Sequence, residues 1–229
     1  MQKKNPNPIN CDTYDYWIFD LDNTLYDIKL SLFKRVSIRI TKYISNYFGI
    51  TKNEALKLQR ELYLKYGLTL RGLIVEKKIE PQDFLKYVHD VEFPELKIDN
   101  ELKSLLSKLK GKKYIYTNAS YQHAKNILTL LGVMGEFEYI LDIEATDFIP
   151  KPNIESYKIM KKKLCLRNKD MDKAIFIEDT ARNLVPAKNL GMSTVWMENS
   201  FNENDFKKNF TYIDYSFKNV KSFLKFIKI

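Results

Sequence analysis

Two carboxylates, Asp20 and Asp22, directly follow a short apolar run in the segment WIFDLDNTLYD. An uninterrupted apolar run of this length is typical of a strand that is buried on both faces, as in a parallel sheet. Because side chains alternate along a strand, residues i and i+2 point the same way. We therefore predict that both carboxylates are presented together at the carboxyl end of a strand, where open α/β sheets bind ligands.

The closeness of these two carboxylates has an electrostatic cost. Two like charges side by side are unfavourable unless a cation neutralises them or one group stays protonated. Either outcome indicates chemistry, namely a site for a hard metal ion or an acid/base group beside a nucleophile. The alternative is that Asp20 and Asp22 are two solvated aspartates in a turn, so the rest of the sequence has to decide.

Three other predicted strand ends carry distinctive polar residues: Thr117 with Asn118, Glu178 with Asp179, and Lys151 in a loop between two prolines. Each has an ordinary explanation by itself, as a helix cap, a pair of capping acids or an exposed loop lysine. Together they have a single explanation, because the carboxyl ends of parallel strands converge on one crevice.

The predicted crevice would combine carboxylates, a hydroxyl group and a lysine. Acidic oxygen ligands select Mg²⁺ over zinc. A hydroxyl, backbone N–H groups and a lysine suit the oxygens of a phosphoryl group. The sequence therefore predicts magnesium-dependent phosphoryl transfer through an aspartyl-phosphate intermediate.

The segment after the first strand has a helical pattern. Apolar residues recur at helical spacing from Ile28 to about Tyr66, and Gly49 and Gly67 stand where helix ends are expected. Shorter helices are predicted near residues 70–75 and 82–89, and no convincing strand is present. We predict an all-helical insert at residues 28–98.

From about Asp99 onward, strand and helix patterns alternate. Such alternation predicts right-handed βαβ units and a mainly parallel sheet. The predicted fold class is α/β, with a Rossmann-like, mainly parallel sheet core formed by residues 1–27 and 99–229 and interrupted by the helical insert.

Composition describes a globular protein, with 45% hydrophobic and 29% charged residues among 229. No apolar stretch is long enough to span a membrane, and no secretory signal pattern is seen at the start. The two cysteines, Cys11 and Cys165, form no cluster, which argues against a disulfide framework or a zinc site. We expect a cytoplasmic protein.

The net charge of +9 comes mostly from lysines scattered along predicted helices. A nucleic-acid binder would concentrate arginines and aromatic residues on one face, so we expect neither a nucleic-acid polymer nor a membrane as a partner. The expected partner is a small phosphate monoester, which a positive field would attract. The chain is expected to be a monomer or homodimer.

The motifs DLDNT, YTN, PKP and IED, in this order, resemble the four motifs of the haloacid dehalogenase (HAD) superfamily. The resemblance implies that Asp20 is the nucleophile and that Asp22 protonates the leaving group and then activates water. It also implies that Thr117 and Lys151 bind the phosphoryl group.

The same resemblance implies a set of metal ligands. Mg²⁺ would be held by Asp20, the backbone carbonyl of Asp22 and Asp179, with Glu178 close by or acting through water. The helical insert would correspond to the cap that closes over the site in one branch of the superfamily.

Longer segments resemble the pyrimidine 5′-nucleotidase group, notably YGLTLRGL, YVHD, YTNASYQHA, DIEATDFIPKP and EDTARNLVPAKNLGMSTVW. The resemblance implies hydrolysis of UMP or CMP, with Asn118 at the substrate site. It suggests that Arg71 contacts phosphate or base and that His89 closes the pocket, although a surface arginine and a capping histidine are the simpler alternatives.

Ala-Ser follows Asn118 where this group often has glycine. His123 is expected on a helix surface.

Several other activities compete with this one. A haloacid dehalogenase uses the same nucleophile but has no use for an acid at position i+2, so Asp22 argues against it. A phosphonatase would generally lack Asp22 and would need a lysine from the cap. A phosphoglycolate or sugar-phosphate phosphatase or mutase stays open. A non-catalytic basic binding protein on this scaffold is disfavoured because Asp20, Asp22, Lys151 and Asp179 are all present.

Overall fold

The computed structural model describes residues 8–26, 32–198 and 211–228. Its strands are β1 (Ile9–Asn10), β2 (Tyr16–Phe19), β3 (Lys112–Tyr116), β4 (Tyr139–Leu141), β5 (Ala174–Glu178), β6 (Ser193–Met197), β7 (Tyr215–Phe217) and β8 (Ile227–Lys228). Its helices are α1 (Leu32–Phe48), α2 (Lys52–Tyr66), α3 (Thr69–Lys77), α4 (Pro81–His89), α5 (Asn100–Ser107), α6 (Tyr121–Leu130), α7 (Ile154–Lys163), α8 (Ala181–Asn189) and α9 (Val220–Phe226).

Six strands form one sheet in the order β4-β3-β2-β5-β6-β7, and every neighbouring pair is parallel. The short strands β1 and β8 pair separately, also in parallel. Because parallel strands share one direction, their carboxyl ends lie along the same edge of the sheet. The predicted α/β fold with a mainly parallel sheet is confirmed.

Strand β2 lies in the middle of the sheet, between β3 and β5. Its residues Trp17, Ile18 and Phe19 are fully buried, as predicted for a strand covered on both faces. Trp17 and Phe19 belong to one hydrophobic cluster, whereas Ile18 belongs to the other. The alternation of side chains along β2 therefore supplies both layers of the core.

Helices cover both faces of the sheet. Buried residues of α5, α6 and α9 pack with Trp17 and Phe19 on one face. Buried residues of α7 and α8 pack with Ile18 on the other face. The result is a layer of helices on each side of a parallel sheet, which leaves the carboxyl ends of the strands open at one edge.

Helices α1 to α4 occupy the segment predicted to be a helical insert. Their apolar residues, joined by Ile143 from the segment after β4, form a third cluster that includes Ile44, Leu62, Leu70 and Phe84. Helix α2 begins with a capping box between Thr51 and Glu54. Between residues 32 and 98 the structure contains no strand, but residues 27–31 lie outside the described residues. We propose that residues 28–98 form the cap domain, a division supported by this third cluster.

The contact between α2 and α3 depends on one glycine. A Cβ atom at Gly72 would lie 2.7 Å from the Cβ of Leu62 and 2.9 Å from a ring carbon of Tyr66. A side chain at this position would push the two helices apart. Gly72 therefore fixes how α3 lies against α2.

Among the helices in residues 8–26, 32–198 and 211–228, none is both long and apolar enough to cross a membrane.

Candidate active site

Asp20 lies where the central strand ends, and a tight turn brings Asp22 beside it. The backbone N–H of Asp20 donates to the carbonyl oxygen of Ile177 at 2.9 Å, which extends the pairing of β2 with β5 by one residue. In the turn, Asn23 has a φ of 61°, a left-handed conformation that asparagine tolerates better than most residues. The hydroxyl of Thr24 donates to Oδ2 of Asp20 at 2.9 Å. Asp20 is therefore held at both its backbone and its side chain.

Lys151 is buried, with 1% of its surface exposed, so the alternative of an exposed loop lysine is wrong. Its Nζ lies 2.7 Å from Oδ1 of Asp20, 2.8 Å from Oε2 of Glu178 and 2.8 Å from the carbonyl oxygen of Tyr116. These three contacts use all three donors of the ammonium group. Burial opposes the charged form, but Asp20 and Glu178 outweigh it and raise the pKa of Lys151 above its ordinary value.

Asn118 holds the backbone of Lys151 in place. Its side-chain oxygen accepts the N–H of Lys151 at 2.9 Å, and its side-chain nitrogen donates to the carbonyl of Lys151 at 3.2 Å. Thr117 is buried, and its hydroxyl accepts the N–H of Ala119 at 3.0 Å. Neither residue caps the next helix, because the cap of α6 is Ser120. The ordinary explanation of Thr117 and Asn118 as helix caps is therefore wrong.

Three buried carboxylates converge next to Lys151. Within the described part of the chain, Asp20, Glu178 and Asp179 each offer an oxygen, and these oxygens lie within 4.8 Å of one another. Burial and then the charge of Glu178 raise the pKa of Asp20 to about 7, and the same causes raise the pKa of Asp179 well above its ordinary value. One lysine cannot balance three carboxylates. The cluster therefore fits a hard divalent cation such as Mg²⁺, which prefers oxygen ligands.

The side chain of Asp22 turns away from this cluster. Its Oδ1 accepts a hydrogen bond from Nε2 of His123 at 2.8 Å and another from the hydroxyl of Tyr26. Burial alone would raise the pKa of Asp22, but the charge and hydrogen bond of His123, together with Tyr26, lower it below its ordinary value. Its carboxylate is not part of the cluster of Asp20, Glu178 and Asp179, so Asp22 could contribute its backbone carbonyl to a metal ion, as the family resemblance implies.

His123 is not on a helix surface, so that expectation is wrong. Only 2% of it is exposed, and its ring lies 4.6 Å from the ring of His89, measured between centroids. Nδ1 of His89 lies 2.8 Å from Oγ of Ser120. Burial, followed by the charge of His123, lowers the pKa of His89 to about 3, so this ring is neutral. Both histidines of the chain therefore lie at the site.

A cavity of about 580 Å³ connects the strand ends with the helical segment. From the strand ends it is lined by Asp20, Asp22, Thr117, Asn118, Lys151, Glu178 and Asp179. Residues of α1, α2 and α4, among them Ile40, Leu56, Phe84 and Val88, form much of the opposite wall. The cavity is thus acidic and polar at one end and largely apolar at the other.

The structure does not bring Arg71 to this cavity, in contrast to the suggested substrate contact. The arginines that line it are Arg60 of α2 and Arg182 of α8. Arg182 donates to the hydroxyl of Tyr63 at 2.6 Å, and its guanidinium carbon lies 5.0 Å from the centre of the Tyr63 ring. This contact joins the helical segment to the sheet core at the cavity.

Residues 17–197 match the family model described as haloacid dehalogenase-like hydrolase. This match spans well over half of the 229 residues, so the chain belongs to the HAD-like hydrolases.

A curated relative is phosphate metabolism protein 8 of Saccharomyces cerevisiae, which is 32% identical over 201 residues. The match covers 78% of this chain and 60% of the yeast protein, so the chain spans less than two thirds of that relative.

Two solved structures show how widely the fold is shared. YfnB of Bacillus subtilis, a HAD hydrolase bound to magnesium, matches with a TM-score of 0.60 at 17% identity, over 94% of this chain and 99% of YfnB. The L-2-haloacid dehalogenase of Xanthobacter autotrophicus, with chloropropionic acid covalently bound, matches with a TM-score of 0.53 at 13% identity, over 93% and 97% of the two chains. Such likeness establishes the fold, and the reaction has to be argued from the site.

Proposed function

We propose that this hydrolase is a Mg²⁺-dependent phosphatase that cleaves phosphate monoesters through an aspartyl-phosphate intermediate. The observation that carries the proposal is the arrangement of Asp20, Asp22 and Lys151 around one cavity. Asp20 provides a carboxylate nucleophile, and Asp22 provides a second carboxyl group two residues later for acid/base work. The halide that a dehalogenase releases needs no proton, whereas the alkoxide released by a phosphatase does. The firmly held Asp22 therefore favours phosphatase chemistry.

In the first half-reaction, a carboxylate oxygen of Asp20 attacks phosphorus, and the bond from phosphorus to the leaving oxygen breaks. Asp22 gives its proton to that oxygen, which leaves as an alcohol. The pKa of Asp22 is low in the free site, but the negative charge of an arriving phosphoryl group raises it. Asp22 can therefore take up the proton that it later donates.

In the second half-reaction, water attacks phosphorus while Asp22 accepts a proton from it. This step releases inorganic phosphate and restores the carboxylate of Asp20. Lys151 and Thr117 both line the cavity. The hydroxyl of Thr117 would donate to a phosphoryl oxygen, and Lys151 would exchange one of its three present contacts for another such oxygen. When bound by Asp20, Asp179 and the backbone carbonyl of Asp22, with Glu178 directly or through water, Mg²⁺ would neutralise the charge that the phosphoryl group brings.

We propose pyrimidine nucleoside 5′-monophosphates as the substrates. A volume of about 580 Å³ lies in the range of sites for ligands of this size. The apolar wall suits a flat base. Phosphoglycolate would fit it poorly, because its leaving group is small and charged. This wall, together with the segments that resemble the pyrimidine 5′-nucleotidase group, favours UMP and CMP over a phosphoglycolate or a sugar phosphate.

A panel of phosphate monoesters tests this substrate class. We expect UMP and CMP to be hydrolysed with a higher kcat/KM than AMP, GMP, phosphoglycolate or glucose 6-phosphate, measured as release of inorganic phosphate. The reacting groups touch only the phosphoryl group, which all these esters share, so selectivity must come from the walls around the leaving group. A preference for phosphoglycolate or a hexose phosphate would contradict the nucleotide assignment but leave the phosphatase chemistry standing.

A pair of arginine variants locates the source of that selectivity. Arg60→Ala is expected to lower kcat/KM for UMP by roughly 1.5–3 kcal/mol, about tenfold to 150-fold, the scale of a charge-assisted hydrogen bond. Arg71→Ala is the matched control, because Arg71 lies outside the cavity lining. Equal losses of kcat/KM in both variants would show that Arg60 has no special role as a residue of the cavity wall.

Metal dependence is a separate expectation. EDTA should abolish phosphate release, added Mg²⁺ should restore it, and Ca²⁺ should inhibit because its looser coordination would misplace Asp20. Activity that is unaffected by EDTA would contradict the all-oxygen site.

Mg²⁺ should also stabilise the fold, since it would relieve repulsion among buried carboxylates. At a concentration one hundred times its Kd, the gain would be about 2.7 kcal/mol, or roughly 5–10 °C in Tm for a chain of this size. Asp179→Asn should reduce this shift in a thermal melt, whereas Asp147→Asn, at an exposed position in a loop, should not.

A further inference from the structure

We propose that His123 is a positioning residue for the carboxyl group of Asp22, and that His89 holds His123 in place. Proton transfer to the leaving group would then depend on how α4, which ends at His89, is seated against α6. This inference rests on the proposed function, because it assigns a role within the proposed proton transfer.

The hydrogen bond between His123 and Asp22 has a defined direction. A carboxylate only accepts hydrogen bonds, so Nε2 of His123 carries the proton and donates it across 2.8 Å. The hydroxyl of Tyr26 donates to the same oxygen, Oδ1. Among the described residues, both hydrogen bonds thus end at Oδ1, which leaves Oδ2 to exchange the reacting proton.

Packing fixes the ring of His123. Its Nδ1 is buried and has no hydrogen-bond partner among the described residues, so no polar group holds that side of the ring. Instead, His89 lies against the ring at 4.6 Å with an angle of 31° between the planes, and Phe93 meets it edge-on at 5.5 Å. A histidine that orients a carboxylate is usually held through its second nitrogen. Here two neighbouring rings take over that function.

His89 is itself tied to the amino end of α6. Nδ1 of His89 lies 2.8 Å from Oγ of Ser120, and this oxygen also accepts the backbone N–H of His123 as the cap of α6. One serine therefore contacts both histidines. A displacement of α4 would remove His89 from this arrangement and free the ring that orients Asp22.

If His123 positions Asp22, the effect of a His123 variant should depend on the leaving group of the substrate. A variant that merely distorts the site should slow all substrates alike. A nucleotide leaves as a poor alkoxide that needs a proton, whereas p-nitrophenolate leaves without one. His123→Leu should slow single-turnover phosphorylation of Asp20 by UMP about 100-fold, the scale of a small misplacement of a catalytic group. The burst of p-nitrophenolate from p-nitrophenyl phosphate should change less than about fivefold, since that step requires no acid.

Variants that keep the hydrogen-bond donor or the ring should retain most of the activity. His123→Gln keeps an N–H donor and should recover most of the rate with UMP. His89→Phe keeps a ring against His123 and should retain more activity with UMP than His89→Ala. Gln122→Leu, at an exposed neighbouring position of α6, is the matched control and should behave like the wild type.

The outcomes are distinguishable. If His123→Leu loses the UMP reaction and the p-nitrophenolate burst to the same extent, or if His123→Gln is as slow as His123→Leu, the positioning role is wrong. If the wild type itself releases no phosphate from any monoester, the proposed function is wrong instead.

Discussion

Asp20→Asn is expected to abolish phosphate release from UMP, because an amide cannot attack phosphorus to form the acyl phosphate. The fold should survive. Burial and the charge of Glu178 already raise the pKa of Asp20 to about 7, so removing its charge relieves repulsion. Oδ1 of the amide can still accept the hydrogen bond from Lys151, as Oδ1 of Asp20 does at 2.7 Å. We therefore expect a Tm equal to or above that of the wild type.

Acid quenching during turnover of UMP provides the direct measurement. The wild type should carry one additional phosphoryl group by mass spectrometry, and Asp20→Asn should carry none. Asp15→Asn is the control, because Asp15 is exposed and precedes β2 at its opposite end. A kcat for Asp20→Asn above about one tenth of the wild-type value would exclude covalent catalysis by this residue.

Asp22→Asn is expected to lower kcat for UMP by roughly two to four decades, the usual contribution of a general acid/base group. The amide cannot donate a proton to the leaving oxygen or accept one from water. The variant should still form the phosphoenzyme from p-nitrophenyl phosphate, because Asp20 and Lys151 are unchanged. A single burst of p-nitrophenolate followed by very slow turnover would identify the loss of the water-activating step.

A stability control is needed because Asp22 accepts hydrogen bonds from His123 and Tyr26. The amide oxygen can keep both of them, but the pKa of Asp22 is lowered in the fold, so the loss of its charge should reduce the Tm somewhat. An undiminished kcat with UMP, whose leaving group is poor, would remove Asp22 from its acid/base role.

The sequence was most informative where local pattern and burial coincide. The apolar run from Trp17 to Phe19 predicted a strand buried on both faces, and the structure places it at the centre of the parallel sheet. Gly49 and Gly67 marked the ends of helices, and both adopt left-handed φ angles there. The order of the strands across the sheet was not predicted, because it depends on contacts between segments far apart in the chain.

His123 shows how a site residue can be missed. The expectation placed it on a helix surface, yet it precedes Ala124 and lies four residues before Ile127, both fully buried. Helical spacing thus places it on the apolar face of α6. The helical periodicity of α6 therefore contained the signal for its burial.

Arg71 illustrates the opposite case, a residue singled out by its motif that does not line the cavity. Its motif resembled a substrate-binding segment, but its neighbours determine how α3 is oriented. Leu70 and Leu73 are buried in the helical cluster, and Gly72 packs closely on Leu62. These contacts fix the rotation of α3, and the cavity is lined by Leu70 but not by Arg71. Such a rotation depends on tertiary packing and cannot be read from a short motif.

The central position of β2 has a consequence for motion. The strand is hydrogen-bonded along both edges, and Asp20 continues the pairing with β5. Local opening in folded proteins begins where few buried contacts must break, so we expect the amides of β2 to be among the slowest to exchange their hydrogens. His89, by contrast, lies at the end of a nine-residue helix that packs in the third cluster. We therefore expect the nucleophile to lie in the slowest-opening part of the fold, and the contact of His89 with His123 to exchange sooner, because α4 can shift without breaking the sheet.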